Sequence, residues 1–164
     1  MSAPSSPLPI DAVLEEQRRT NFGRLLDALH VGFDRLALEY LRDMGYASVR
    51  AGHTHVLRTM RAEGSTLTDM ADRAGISKQA MSKLVSEFER MGFLEWRQGP
   101  PRQVHSTTAG QTLLRHGIQA LVRAEGVYFG HLTSVERETL RRLLCKALDA
   151  TEQVRDGDWR RRRA

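Results

Sequence analysis

Ser77, Lys78, Gln79, Ser82, Lys83 and Ser86 lie within one short stretch and carry hydroxyl, amide and ammonium groups, with no carboxylate among them. Donors of these types suit phosphate oxygens and the edges of bases. A merely solvated helix face usually intersperses Glu with Lys, whereas here the first acid is Glu87. For the six to share a face they need a helix that is apolar on its other side, and Met81, Leu84, Val85 and Phe88 provide that side. Ser77 is a natural N-cap for it. Just upstream, Thr66 caps a shorter helix with Asp69 three positions on, close to a capping box. Leu67, Met70, Ala71 and Ala74 fall on the inward face of that helix. Gly75 supplies the left-handed backbone that ends it, and Ile76 fills the corner. Residues 66–92 therefore read as a helix-turn-helix whose second helix has a polar, basic outer face small enough for a DNA major groove. A helical hairpin with a glycine turn is also a common packing unit, so the hairpin alone does not decide the matter.

The residues that follow add to it. Residues 93–97 and 102–106 mix apolar and polar side chains and are separated by Gln98-Gly99-Pro100-Pro101, the signal of a β-hairpin. A hairpin directly after such a helix is the wing of a winged helix. Arg97 and Arg102 bracket its tip, within reach of an adjacent minor groove whose negative potential favours arginine. The blander reading is a surface turn with two solvated arginines.

The order of helix-turn-helix, hairpin and a Thr-x-x-Gly helix start at Thr107–Gly110 resembles the multiple antibiotic resistance regulator (MarR) family. AGISKQAMSKLVSEFERMGFLE is similar to the consensus of one of its subgroups. GYASVRAGHTHVLRTM resembles the helix before it, and LTSVERETLRRLLCKAL the closing dimerisation helix. The likeness runs over residues 20–150. It implies a mainly α fold, an α+β winged helix-turn-helix with N- and C-terminal dimerisation helices, and a homodimer on double-stranded DNA. It also implies a pocket for a small aromatic or phenolic effector between the dimer helices and the winged helix. His53 stands where that subgroup tends to have His, and His30, Tyr40 and His116 are further candidate linings. For His53 the competing reading is a half-buried ring bonded to backbone. The wing departs from the family's pattern: an Asp usually braces the tip arginine, while here the place reads Gln98-Gly99-Pro100-Pro101-Arg102. Arg102 is the best positional match, without its carboxylate.

Helical spacing organises the rest. Phe22, Leu25, Leu26, Leu29, Phe33, Leu36, Tyr40 and Met44 form one stripe, and residues 10–19 form a short extra helix or the start of the same one. Residues 48–61 read as a helix capped by Ser48. Thr107 caps a long helix carrying Leu113, Leu114, Ile118, Leu121, Val122 and Tyr128. Thr133 and Glu136 form a capping box before a last helix with Leu140, Leu143, Leu144 and Leu148. These outer helices carry more apolar surface than a small winged helix covers, which points to a two-fold dimer. The expected organisation is a disordered tail (1–9), N-terminal dimerisation helices (10–47), the winged helix (48–107), C-terminal dimerisation helices (108–150) and a basic tail (151–164).

Composition bounds this picture. The chain has 164 residues, 40% of them apolar, enough for one core or two small ones. Its net charge of +5 is a weak nucleic-acid signature, because Arg160–Arg163 supply four of those charges. No apolar run approaches the roughly 18 residues a membrane span needs, and the opening MSAPSSPLP has no secretory pattern. No membrane partner and a cytoplasmic location are expected. A lone cysteine, Cys145, excludes an internal disulfide. It reads as a small apolar residue of the dimer core, against an exposed thiol activated by Arg142 and Lys146. His53 and His55 point roughly 200° apart on a helix, so no metal site is expected. No cofactor is expected either. No nucleophile elbow, phosphate loop, HExxH or dinucleotide fingerprint is present, which argues against an enzyme. The alternative class is a protein-interaction adaptor that uses the winged-helix dimer without reading DNA. Residues 155–163, with Trp159, read either as a clamp on flanking DNA or as a solubilising end.

Overall fold

The computed structural model describes residues 9–158, with side chains through residue 150. It divides into two compact units after Ala124.

In the first unit, helix α1 (Ile10–Thr20) and helix α2 (Phe22–Asp43) are separate. Asn21 parts them: its backbone is extended, and its side-chain oxygen accepts the Arg24 N–H at 3.1 Å. The helix expected over 48–61 is shorter than its pattern. A 3-10 turn (Ala51–His53) leads into α3 (Thr54–Thr59), and Ser48 caps nothing. The reason is local and tertiary together. Arg50 is extended at φ −124°, ψ 171°, and its N–H goes to the His53 ring rather than into a helix. At the other end Met60 is already extended.

Helices α4 (Leu67–Ala74) and α5 (Lys78–Arg90) form the hairpin that the sequence predicts. Thr66 Oγ1 accepts the Asp69 N–H and Ser77 Oγ the Ala80 N–H, each at 3.1 Å. Gly75, at φ +68°, makes the left-handed turn between them. Strands β1 (Leu94–Arg97) and β2 (Gln103–Ser106) then pair antiparallel, from Leu94 opposite Ser106 to Arg97 opposite Gln103. Ser65 adds a third pairing, exchanging both backbone bonds with Val104 at 3.0 and 2.8 Å. The core lies where these elements meet: Val56 of α3, Met70 of α4, Met81, Val85 and Phe88 of α5, Leu94 and Val104 of the hairpin. Leu113 of α6 (Thr108–Phe129) closes it. Full burial of one such side chain is worth about 1.5–3 kcal/mol, so α5 is fixed chiefly by its inner face.

The Thr-x-x-Gly start of α6 has a physical cause. Thr107 Oγ1 donates to the Gly92 carbonyl at 2.7 Å and accepts the Gly110 N–H at 3.1 Å, tying the helix start to the end of α5. Gly110 then passes so close to β1 that a Cβ would lie 1.9 Å from the Phe93 carbonyl oxygen.

In the second unit, the end of α6 is followed by α7 (Ser134–Asp158). Thr133 and Glu136 form the expected box: the Thr133 N–H and hydroxyl both donate to Glu136 Oε2 at 2.8 Å, and the Glu136 N–H returns to Thr133 Oγ1 at 3.3 Å. These bonds hold the Glu136 carboxyl below the ordinary range. Residues 1–8 and 159–164, including Trp159 and the final arginines, lie outside the described residues.

Gly110→Ala should destabilise the protein by about 1–3 kcal/mol, since the neighbour it meets is backbone and cannot turn aside. Gly117→Ala, with nothing within 4 Å of the added Cβ, should be neutral or slightly stabilising. Urea denaturation of the two variants checks this, and equal midpoints would show that close approach is not what Gly110 provides.

Candidate nucleic-acid interface

Five of the six donors predicted on α5 come together. Lys78, Gln79, Ser82, Lys83 and Ser86 line one open concavity of about 540 Å³, with Leu67 of α4 as its apolar floor. No acid lines it. Ser82 is half-buried and the other four are exposed. Ser77 stands at the helix start, where its oxygen is used in capping. Its hydroxyl hydrogen remains able to donate outward. This surface is α-helical, open to solvent and lined by donors and hydroxyls, which is the chemistry of a phosphate and base-edge contact.

The first acid of α5 is disposed of on the inner side. Glu87 Oε2 accepts from His53 Nε2 at 2.7 Å and also meets the Arg50 guanidinium. His53 is 2% exposed. Its Nδ1 accepts the Arg50 N–H at 3.2 Å, so Nε2 carries the proton that Glu87 receives. The ring also stands edge-on to Phe88, 4.8 Å between centroids. The hydrogen bond from His53, with the Arg50 charge beside it, holds the Glu87 carboxyl below its ordinary value. The family resemblance points to His53, and nothing in the sequence points to Glu87 or Arg50 as its partners. Their pairing spans 34 and 37 residues and becomes visible only in the fold.

The wing arginines separate. Glu95 and Arg97 are two apart on β1 and therefore share one face. Arg97 Nε and Nη2 donate to Glu95 Oε1 at 3.1 and 3.0 Å. Arg102 instead lies over the Trp96 ring, its guanidinium carbon 4.1 Å from the centroid. Trp96 faces Val104 across the ladder, which makes Arg102 its diagonal neighbour. The i, i+2 spacing of Glu95 and Arg97 was a readable signal; the Trp96–Arg102 pair required the strand register.

The four candidate effector residues are not brought together. His30 is exposed and contacts Arg58 Nη1 at 3.1 Å. Tyr40 lies under Arg123, 5.3 Å from its centroid. His116 Nδ1 is 2.9 Å from the Tyr46 hydroxyl, and His53 is occupied as described. A separate cavity of about 290 Å³ opens among α2, α3 and α6, walled by Ala37, Leu41, Leu57 and Leu114. None of the four lines it. Its polar end is Asp34, Thr54 and Arg58. There Thr54 Oγ1 donates to Asp34 Oδ2 at 3.0 Å, and Arg58 Nη1 lies 3.5 Å from Asp34 Oδ1. Cys145 is exposed on α7. Among the described residues no group of three or more His, Cys, Asp and Glu is placed to hold a metal ion. Among the same residues no helix is long and apolar enough to cross a membrane.

A carboxylate whose folded pKa is depressed stabilises the fold above its unfolded pKa and loses that contribution as pH falls through the folded value. Glu87 and Glu136 both start from an ordinary value of 4.5 and are both lowered. Stability should therefore fall as pH drops below about 4.5, and Glu87→Gln should flatten that decline while Glu136 maintains the remainder. Urea midpoints measured between neutral and acid pH check this. An undiminished acid slope in Glu87→Gln would mean that the His53–Glu87 bond is not linked to folding.

Compared by sequence, the chain matches no family model and no curated protein. Solved structures match it clearly by fold. The oxidised form of MarR from E. coli is 25% identical, with a TM-score of 0.67 over 77% of this chain and 94% of that one. CouR from Rhodococcus jostii, bound to p-coumaroyl-CoA, is 21% identical, with a TM-score of 0.63 over 77% of this chain and 90% of that one. PcaV from Streptomyces coelicolor, in complex with its natural ligand, is 20% identical, with a TM-score of 0.59 over 82% and 96% of the two chains. The helix-turn-helix, the two-stranded wing and the flanking helices agree with the first of these in fold and order, so the chain has the winged-helix fold of MarR and is similar to the MarR-family transcriptional regulators.

Proposed function

We propose that the chain is a sequence-specific DNA-binding regulator, a repressor, that acts as a homodimer on a palindromic operator and is released by a small aromatic or phenolic ligand. The observation that carries this reading is the acid-free concavity of α5, where Lys78, Gln79, Ser82, Lys83 and Ser86 converge. In this reading Ser77 and Ser82 bond phosphate, Lys78, Gln79 and Lys83 reach phosphates or base edges, and Ser86 extends the same face. The wing adds a contact through its tip arginines, for which Arg97 and Arg102 are the candidates.

A dimer is supported by apolar side chains that the single chain leaves in water. Phe22 is 81% exposed, Ile118 and Val122 63% each and Val135 73%. Apolar surface on this scale marks an interaction site, and a two-fold partner would set two α5 helices about 34 Å apart for successive major grooves. The ligand reading is supported by the cavity among α2, α3 and α6. Its apolar wall suits an aromatic ring, and Arg58 at its polar end suits a carboxylate or phenolate. Release follows if the ligand binds more tightly to a dimer whose two α5 helices are wrongly spaced.

Lys78, Gln79 and Lys83 replaced together by Ala should abolish competitor-resistant binding to operator DNA in fluorescence anisotropy while leaving the dimer intact by sedimentation. Unchanged DNA binding would remove α5 as the contact. If neither the wild type nor the variant bound DNA, with the dimer preserved, the protein would be an adaptor.

A further inference from the structure

We infer that Trp96 is the positioning residue for the wing's DNA contact, and that this contact is made by Arg102 rather than Arg97. The inference rests on the DNA-binding reading above and deepens it.

The two arginines are equally close to the hairpin tip, so position does not separate them; their partners do. Arg97 gives two N–H bonds to one oxygen of Glu95, at 3.1 and 3.0 Å. Its charge is compensated and two of its donors are used, so bringing it to a phosphate also brings a carboxylate. Arg102 has no acid within ion-pair distance among the described residues, and its contact is the face of the Trp96 ring at 4.1 Å. Stacking holds a guanidinium by its flat face and leaves the N–H groups at its edge free to donate. The charge remains whole, and a full positive charge is what the potential of a narrow minor groove or a phosphate row rewards.

Trp96 can serve as a platform because it is itself fixed. It is half-buried, packs against the core and sits opposite the fully buried Val104. Arg102 follows the tip, which contains Gly99, Pro100 and Pro101 and provides no carboxylate. An aromatic face thus takes the part that an acid would play, with the difference that it orients the arginine without neutralising it. Glu95 then has a role as well: it withdraws Arg97, so that the wing presents one competent cation.

The test is a double-mutant cycle on operator DNA, using full-length protein and a salt titration. Trp96→Leu should weaken binding about two- to fivefold, the worth of the exposed cation–π contact that orients the arginine, and Arg102→Ala, which removes the DNA contact itself, should weaken it at least as much. The double variant should be no weaker than Arg102→Ala alone, because the platform matters only through the arginine. Arg102→Ala should also lower the salt slope by about 0.9, one phosphate contact, whereas Arg97→Ala should change it less. Trp96→Phe keeps an aromatic face and should retain most of the affinity. Thermal melts of all variants identify any loss that comes from unfolding, and the Phe variant keeps the test valid if the Leu variant does not fold. Additive effects of Trp96→Leu and Arg102→Ala, or a larger effect of Arg97→Ala, would overturn the inference. If the wild type itself bound no DNA, the regulator reading would fail and this one with it. Wild-type binding with uncoupled variants would sink this inference alone.

Discussion

The hydrogen bond from His53 to Glu87 ties together the two demands placed on α5. The helix must bury one face to be held and must keep negative charge off the other if anions are to approach it. Met81, Val85 and Phe88 meet the first demand. The second is met because the first acid after the donor run turns inward, to a buried imidazole and the Arg50 guanidinium. The same imidazole takes the Arg50 N–H on its other nitrogen. One side chain therefore sets both the start of α3 and the charge pattern of α5. Breaking a bond of this kind, in which one partner is 2% exposed, leaves a polar group without water or protein to satisfy it.

The wing depends on a similar economy of positions. Ser65 completes the ladder from the loop before α4, and Gly110 lets α6 come against the Phe93 carbonyl, so the hairpin is fixed at its base on both sides. Only its tip is free to be specialised. There the strand alternation sends Glu95 and Arg97 to one face and Trp96 to the other, where Arg102 stacks on it. Two arginines that look equivalent in the sequence thereby become chemically different.

Much of this was legible because it is local. The caps at Thr66, Ser77 and Thr107 and the left-handed Gly75 are set by hydrogen bonds and backbone preferences within three or four residues, and each occurs where its residue type predicts. The apolar spacing of α5 gave its inner face for the same reason. What was not legible depends on which of several possible partners a group takes in the fold, some of them far apart in the chain. The pattern over 48–61 is helical, yet the 3-10 turn intervenes because the Arg50 N–H is claimed by His53 and the Thr54 hydroxyl by Asp34 and the Ala51 carbonyl. The missing brace at the wing tip was visible as a missing Asp; its replacement by Trp96 was not, since only the register places that ring beside Arg102. His30, Tyr40, His53 and His116 each have a partner of their own, and the cavity among α2, α3 and α6 is walled by aliphatic residues whose spacing reads simply as core.

The central claim is that the donor face of α5 reads DNA. The most direct measurement is a mobility shift with the purified full-length protein on the DNA upstream of its own gene, titrated with salt and with nonspecific competitor. A DNA-reading α5 gives a complex that resists competitor, weakens steeply as salt rises and runs as a dimer on one site. A complex that competitor removes as readily from this DNA as from any other would contradict it.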